Sequence, residues 1–271
     1  MRFEKIPLSP TDESVYMDAY IADRVGDFTR KAILVIPGGG YSNVCSDREG
    51  EPIAMAFLPH GYNAFVLHYT VGRKKPFPAQ LIEVARAIKQ IRDCADEYNI
   101  DPNAVFTVGF SAGGHLAASS GVLWKLPEVQ AALDMPYGYN KPTGVMLIYP
   151  VISAAYHAIS FNNLLCSDTP SQEMLDACSI ERHVDADSAP AFIMHTANDQ
   201  IVDVKNALAL AWAYADADVL YEMHIYPDAP HGAALGNRIT ECGVAKWNNP
   251  AIAKWVEQAV AWAESLSKAE A

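Results

Sequence analysis

Residues 104–120 read AVFTVGFSAGGHLAASS, and this stretch decides the fold. It opens with the run Val-Phe-Thr-Val, whose β-branched and aromatic side chains are typical of a short buried strand. The turn Gly-Phe-Ser-Ala-Gly of residues 109–113 follows at once, and the small residues 114–120 favour a helix. The stretch therefore predicts a strand, a sharp turn and a helix, with the hydroxyl of Ser111 exposed at the turn. The flanking glycines are needed because a Cβ would collide with the neighbouring strand and helix.

A Gly-x-Ser-x-Gly motif between a strand and a helix is the context in which a serine acts as a nucleophile, so we expect Ser111 to be one. The sequence GFSAGGHLA resembles the α/β-hydrolase superfamily, and most of all its esterase branch with acetyl-xylan esterases and related carbohydrate esterases. The resemblance extends from about residue 31 to the C-terminus. It implies an α/β fold with a mostly parallel central sheet and helices on both faces. It also implies a small cap insertion, here about residues 151–188. From the chain length we expect a single domain over residues 1–271.

Three successive glycines follow the apolar run AILVI of residues 32–36, which predicts a buried strand. Such glycines let the backbone approach a ligand closely with its amides free. In esterases of the superfamily a comparable HGGG motif joins the amide after the nucleophile to form the oxyanion hole. The resemblance thus assigns Gly39 or Gly40, together with Ala112, to that hole. Here Pro37 stands in place of the histidine.

Two residues near the glycines are predicted substrate contacts. Tyr41 follows the glycines directly, and Arg48 lies in a polar, irregular stretch that would line the mouth of the site. A similar DREGEP stretch follows the glycine loop in the carbohydrate esterases, so the resemblance implies a substrate-facing or structural role for it. Solvated surface is the alternative for Arg48 and Glu49.

The remaining predicted catalytic residues follow two later strands. Asp199 comes just after the apolar run of residues 191–195, and His231 lies in the loop PDAPHG after the predicted strand 220–226. The carboxyl ends of parallel strands meet at one edge of a sheet. The chain order Ser, Asp, His is the order that α/β-hydrolases use. We expect His231 to act as general base and Asp199 to orient it.

The chain has eight histidines and many acidic residues, so other residues are also candidates for the roles of base and acid. His195 and His224 lie in or at the end of predicted strands, which favours structural roles. His115 is four residues after Ser111 on the same predicted helix, where it would point away from the nucleophile. Asp203 is the main alternative to Asp199.

The composition of the chain limits the classes of molecule that it is expected to bind. The chain has 32 acidic and 20 basic residues, for a net charge of -12, and such a surface repels nucleic acid and anionic membranes. It lacks both a signal-peptide-like N-terminus and an apolar run long enough to span a membrane. The five cysteines have no paired or metal-ligand spacing, which favours reduced thiols. We expect a cytoplasmic enzyme that needs no metal and no cofactor.

The resemblance implies hydrolysis of short-chain carboxylic esters through an acyl-enzyme on Ser111, with acetyl groups on sugars or xylo-oligosaccharides as the expected substrates. Two alternatives stay open. One is an amide-cleaving hydrolase, either a peptidase or an arylformamidase, which the same residues could serve. The other is a catalytically silent hydrolase fold that acts as a binding protein. A homodimer is also left open, because the sequence offers no self-complementary patch to test it.

Three further segments carry structural predictions. Apolar and polar residues alternate in part over residues 14–21, which predicts an antiparallel edge strand. Residues 80–98 have apolar side chains at three- and four-residue spacings, which predicts an amphipathic helix on one face of the sheet. Residues 126–142 are rich in proline, glycine and tyrosine, and we expect them to form a loop over the catalytic edge.

Overall fold

An eight-stranded sheet lies at the centre of the computed structural model, which describes residues 1–269. The strands are β1 (Arg2–Pro7), β2 (Tyr16–Ile21), β3 (Arg30–Ile36), β4 (Tyr62–His68), β5 (Ile100–Phe110), β6 (Gly144–Ile148), β7 (Ala191–Thr196) and β8 (Tyr221–Tyr226). Their spatial order is β1-β2-β4-β3-β5-β6-β7-β8. β1 and β2 are antiparallel to their neighbours, and β4 to β8 run parallel with β3. The predicted α/β class with a mostly parallel sheet is confirmed.

Ten α-helices lie between and after the strands within residues 1–269. They are α1 (Ser46–Glu49), α2 (Glu51–Phe57), α3 (Ala79–Asp93), α4 (Ala95–Tyr98), α5 (Ala112–Val122), α6 (Pro127–Ala131), α7 (Ala158–Leu164), α8 (Gln172–Cys178), α9 (Lys205–Asp216) and α10 (Trp255–Ala269). Within residues 1–269, none of them combines the length and the apolarity that a membrane crossing requires.

Both faces of the sheet are buried, because successive side chains of each strand point to opposite faces. Leu34 of β3 packs into a core with α3, α5 and α9, while its neighbours Ile33 and Val35 pack on the other face with α2 and α10. Helix α5 is buried along its whole length from Ala112 to Val122, as its run of small residues predicts. A strand whose sequence is continuously apolar is thus covered by helices on both faces of the sheet.

Three sequence predictions need correction. Residues 16–21 are antiparallel as predicted but do not form the edge, because β1, which the sequence analysis missed, pairs outside them. The predicted helix 80–98 is two helices, α3 and α4, interrupted at Cys94. Residues 126–142 lie at the opposite edge from the expected one, since Arg92 donates hydrogen bonds to the carbonyls of Tyr139 and Lys141, beside the start of β5.

The turn between β5 and α5 has the strained backbone that its glycines allow. Ser111 adopts φ 53° and ψ −119°, which non-glycine residues rarely adopt. A Cβ on Gly113 would lie 2.1 Å from the carbonyl oxygen of Ile36, and one on Gly109 would lie 2.2 Å from the carbonyl oxygen of Gly113. These glycines therefore let β3, β5 and α5 approach closely enough to place Ser111 at the sheet edge.

We expect Gly113→Ala to lower the free energy of unfolding by about 3 kcal/mol, because the added methyl meets main-chain atoms of β3 that have no room to move. The comparison is Gly26→Ala, where φ is also unfavourable at 55° but no atom lies within 4 Å. That change should cost about 1 kcal/mol. Urea unfolding of both variants measures the difference, and equal losses would contradict the steric explanation.

Candidate active site

The predicted nucleophile, acid and base meet at the carboxyl edge of the sheet. Ser111 follows β5, Asp199 follows β7 and His231 lies in the loop after β8. Because these three strands are parallel, the loops that leave their carboxyl ends open onto the same edge. Residues separated by up to 120 positions in the chain are thereby brought into contact.

Two short hydrogen bonds join the three side chains. Nε2 of His231 lies 2.9 Å from Oγ of Ser111, and Nδ1 of His231 lies 2.6 Å from Oδ2 of Asp199. Both distances are within normal hydrogen-bond range. The side chain of His231 is partly exposed and that of Asp199 is fully buried. This is the arrangement in which an imidazole can take a proton from a serine while a carboxylate holds the ring.

The carboxyl of Asp199 is held in its ionised form. Burial acts to raise its pKa, but hydrogen bonds with His195 and His231 and from the amide of Val202 outweigh that effect, so the pKa lies well below its usual value. Its Oδ1 also accepts the amide of Ile201 at 2.9 Å. Since an ionised carboxylate only accepts, Nδ1 of His231 carries a proton and Nε2 presents its lone pair to the hydroxyl of Ser111.

The glycine loop after β3 lies against Ser111. A Cβ built on Gly38 would lie 3.0 Å from the Cβ of Ser111, so the loop backbone passes directly beside the serine. Gly39 and Gly40 have φ of 125° and 63°. Within the described part of the chain, the amides of Gly39, Gly40 and Ala112 donate no hydrogen bond. Gly39 and Gly40 follow Gly38, which lies beside Ser111, and Ala112 is the next residue after Ser111. Their role as an oxyanion hole stays a prediction.

Tyr41 does not face the site with its side chain, which corrects the expected substrate contact. The ring is only 2% exposed, and its hydroxyl lies 2.7 Å from Nδ1 of His115. Nε2 of His115 donates to the carbonyl of Cys178 at 2.8 Å, so Nδ1 accepts from Tyr41. Burial lowers the pKa of His115 to about 4, which keeps it neutral. The pair ties the glycine loop to α5.

Arg48 lies beside the histidine loop, and its contact with substrate stays a prediction. Its guanidinium stacks on the ring of Trp247 at 4.6 Å, and Nη2 lies 3.4 Å from Oε1 of Glu49. A Cβ on Gly232 would lie 3.3 Å from the same Nη2. Glu49 is 1% exposed, so the solvated-surface alternative is wrong for that residue.

The sequence analysis missed Tyr149, the residue after β6. Its hydroxyl donates to Oε1 of Glu49 at 3.0 Å and accepts the amide of Ala234 at 2.9 Å. Its ring packs against that of His231 with centroids 4.9 Å apart. Its position at the end of the strand next to β5 is the one sequence signal that could have pointed to the site.

Several side chains hold the histidine loop in place. Nε1 of Trp247 donates to the carbonyl of His231 at 2.9 Å, and Nε1 of Trp255 donates to the carbonyl of Ala234 at 2.9 Å. Oγ1 of Thr196 donates to the carbonyl of Ala229 at 3.1 Å. Indole and hydroxyl donors thus satisfy loop carbonyls that would otherwise lack partners.

The predicted cap segment contains α7 and α8 and packs next to the glycine loop. Nδ2 of Asn163 donates to the carbonyl of Gly40 at 2.8 Å. His157 is half-buried, and Nδ1 donates to the carbonyl of Ile201 at 3.1 Å. Burial lowers its pKa. Ile201 is two residues after Asp199, which places His157 near the site. Phe161, by contrast, is buried against His115.

Among the competing residues, His195 is buried beside Asp199. Its Nε2 lies 3.5 Å from Oδ2 of Asp199 and donates to the carbonyl of Val202 at 2.9 Å. His224 contacts Glu222. Asp203 accepts the amide of Lys205 rather than a histidine. Across residues 1–269, no group of three or more acidic, histidine or cysteine side chains is arranged to hold a metal ion.

Comparison with protein families matches residues 17–213 to the family described as BD-FAE. The matched segment covers most of the chain, from β2 to α9, and includes Ser111 and Asp199. His231 lies beyond its end.

The chain is also similar to individual curated proteins and to solved structures. Endo-1,4-beta-xylanase B of Butyrivibrio fibrisolvens is 36% identical over 220 residues, which are 78% of this chain and 34% of that protein. The acetylxylan esterase of Xylanibacter ruminicola is 29% identical over 213 residues, which are 76% of this chain and 42% of that protein. The chain thus spans less than half the length of these curated relatives. The solved structure of an acetyl ester-xyloside bifunctional hydrolase from Caldicellulosiruptor lactoaceticus aligns with a TM-score of 0.82 at 31% identity, covering 98% of this chain and 97% of that chain.

The pKa of Asp199 leads to a pH prediction. A carboxyl whose pKa is lowered by folding stabilises the native state above its unfolded pKa, and this contribution is lost as the pH falls toward its folded pKa. We therefore expect the wild type to exceed Asp199→Asn in free energy of unfolding by more than about 1 kcal/mol at pH 6, with the gap shrinking below about pH 4. Urea unfolding at pH 3 to 6 measures it. A gap that stays constant with pH would contradict the assignment, and Asp134→Asn, at an exposed aspartate, is the control.

Proposed function

The chain belongs to the BD-FAE family, in the ester-hydrolysing branch of the α/β-hydrolase superfamily, and we propose that it removes short acyl groups from sugar hydroxyls by serine catalysis. The observation that carries the proposal is the pair of hydrogen bonds from Ser111 through His231 to Asp199. Acyl transfer by a serine needs a buried ionised acid, a histidine whose lone pair faces the serine, and free amides nearby.

In the proposed acylation step, Oγ of Ser111 attacks the ester carbonyl carbon while Nε2 of His231 takes the hydroxyl proton. The carbonyl oxygen becomes an oxyanion, which accepts hydrogen bonds from the amide of Ala112 and from Gly39 or Gly40. As the tetrahedral intermediate collapses, the C–O bond to the alcohol breaks and His231 gives its proton to the leaving oxygen. An acyl-enzyme and a free alcohol result.

Deacylation repeats these steps with water. Nε2 of His231 takes a proton from a water molecule, whose oxygen attacks the acyl carbon, and the same amides receive the oxyanion. When the bond to Oγ breaks, the proton returns to Ser111 and a carboxylic acid is released. Asp199 stays ionised throughout and stabilises the imidazolium that forms in each half of the reaction.

Acetylated sugars are the proposed substrate class. The relatives support this choice, since one is named an acetylxylan esterase and a structural neighbour an acetyl ester-xyloside bifunctional hydrolase. The exposed residues that follow the glycine loop, Ser42 and Asn43, are polar and suit sugar hydroxyls. A cytoplasmic location stays a prediction from the sequence, and a homodimer stays open.

The test measures acetate release from acetylated xylo-oligosaccharides beside hydrolysis of 4-nitrophenyl acetate and 4-nitrophenyl butyrate. We expect activity on both acetates, a sharp fall with butyrate, and a loss of about 10⁴-fold or more in kcat in Ser111→Ala. A fluorophosphonate should label the wild type at Ser111 and leave the variant unlabelled.

The matched control is Ser119→Ala, a buried serine on the same helix whose hydroxyl donates to the carbonyl of His115 at 2.8 Å. Its activity should stay near that of the wild type. Turnover of the aryl esters alone would retain the serine mechanism and reject the sugar substrate, with amides and formamides tested next. A folded wild type that takes no label would favour the silent binding protein.

A further inference from the structure

Glu49 is a buried acid that the proposed reaction steps do not use. Its side chain is 2% exposed, and both carboxyl oxygens are engaged. Oε2 accepts the amide of Gly38 at 2.9 Å, and Oε1 accepts the hydroxyl of Tyr149 at 3.0 Å. Arg48 approaches Oε1 at 3.4 Å. Removing a carboxylate from water costs several kcal/mol, so its polar partners must offset a substantial penalty.

The partners of Glu49 belong to two loops that the reaction must align. Gly38 begins the glycine loop that carries the free amides of Gly39 and Gly40, and it passes beside Ser111. Tyr149 reaches the other loop, because its hydroxyl accepts the amide of Ala234, three residues after His231. One continuous chain of hydrogen bonds therefore runs from the glycine loop through Glu49 and Tyr149 to the histidine loop.

The space around this chain is filled, so its geometry is fixed. A Cβ on Gly38 would lie 2.8 Å from Oε2 of Glu49 and 2.7 Å from the carbonyl oxygen of Phe110, which leaves the loop no room to shift toward the acid. The ring of Tyr149 packs on that of His231, so displacing this tyrosine would move the base as well.

We propose that Glu49 is a positioning residue that locks the glycine loop to the histidine loop through the amide of Gly38 and the hydroxyl of Tyr149. This link fixes two sets of groups around the same acyl carbon. They are the amides that receive the oxyanion and Nε2 of His231, which moves the proton. The inference rests on the proposed function, because it assigns Glu49 to that same reaction. A misplacement of about 1 Å between such groups can lower a rate by about 10²-fold.

The primary variant is Glu49→Gln, which keeps the size of the side chain. Gly38 and Tyr149 donate to different carboxyl oxygens, and glutamine replaces one of these acceptors with an NH2 group that only donates. One of the two hydrogen bonds is therefore broken or has to re-form with its donor reversed. We expect kcat to fall by about 10- to 100-fold on 4-nitrophenyl acetate with KM within about 3-fold of the wild type. The rate of fluorophosphonate labelling at Ser111 should fall in parallel.

Glu83→Gln is the matched control. Glu83 is also buried and accepts one amide and one hydroxyl, both from Thr70, at 2.8 Å and 2.6 Å. If loss of a buried acid acted only through stability, the two variants would behave alike. We expect Glu83→Gln to lower the urea midpoint while its kcat stays within about 2-fold of the wild type.

Tyr149→Phe keeps the ring against His231 and removes the hydroxyl, so it tests the same chain if Glu49→Gln fails to fold. Its own control is Tyr214→Phe, since the buried hydroxyl of Tyr214 donates to the carbonyl of Ala189 beside the start of β7. The double variant Glu49→Gln with Tyr149→Phe should lose less than the product of the single losses, because both break one chain.

The outcomes separate the two proposals. A folded wild type that neither releases acetate nor hydrolyses the aryl esters overturns the proposed function. An active wild type with an equally active Glu49→Gln, or with equal kcat losses in Glu49→Gln and Glu83→Gln, overturns this inference alone. Losses in the double variant that multiply in full would likewise reject a shared chain.

Discussion

The positive-φ backbone of Ser111 is the constraint on which the rest of the structure depends. An L-residue with φ 53° and ψ −119° is strained by about 1–3 kcal/mol, so the surroundings must hold it there. The amide of Ser111 donates to the carbonyl of Ile148, and its carbonyl accepts the amides of both His115 and Val151. These bonds come from β6, from α5 and from the segment after β6. Ser111 is thus held by the sheet and helix around it rather than by its own loop.

Buried polar side chains fix the positions of the other loops around the site. Asp199, His115 and Glu49 are all nearly or fully buried, and each has partners on a different loop or helix. In a site that water enters poorly, such bonds are strong when complete and costly when broken. The carboxyl edge of the sheet is therefore a set of loops that are mutually fixed by charge and hydrogen bonding, above two apolar layers that supply the stability.

The sequence predicts the parts of the site that follow clear strands and misses the parts that depend on tertiary packing. Ser111, Asp199 and His231 could be located because each comes after an apolar run whose carboxyl end must face the same edge. Nothing local distinguishes a tyrosine at the mouth of a site from one beneath it, so the burial of Tyr41 was not foreseen. The role of Glu49 was equally hidden, because its partners lie 11 and 100 residues away. Strand β1 escaped notice because four of its six residues are exposed.

The indole of Trp247 gives the molecule an optical consequence. It donates to the carbonyl of His231 and stacks under the guanidinium of Arg48, so its excited state senses a nearby charge and the position of the base together. Trp255 is buried, whereas the side chain of Trp212 is 73% exposed to water. Trp247, one of five tryptophans, therefore contributes to the intrinsic fluorescence from a position in contact with the histidine loop. A change at that contact is expected to alter the emission without an attached dye.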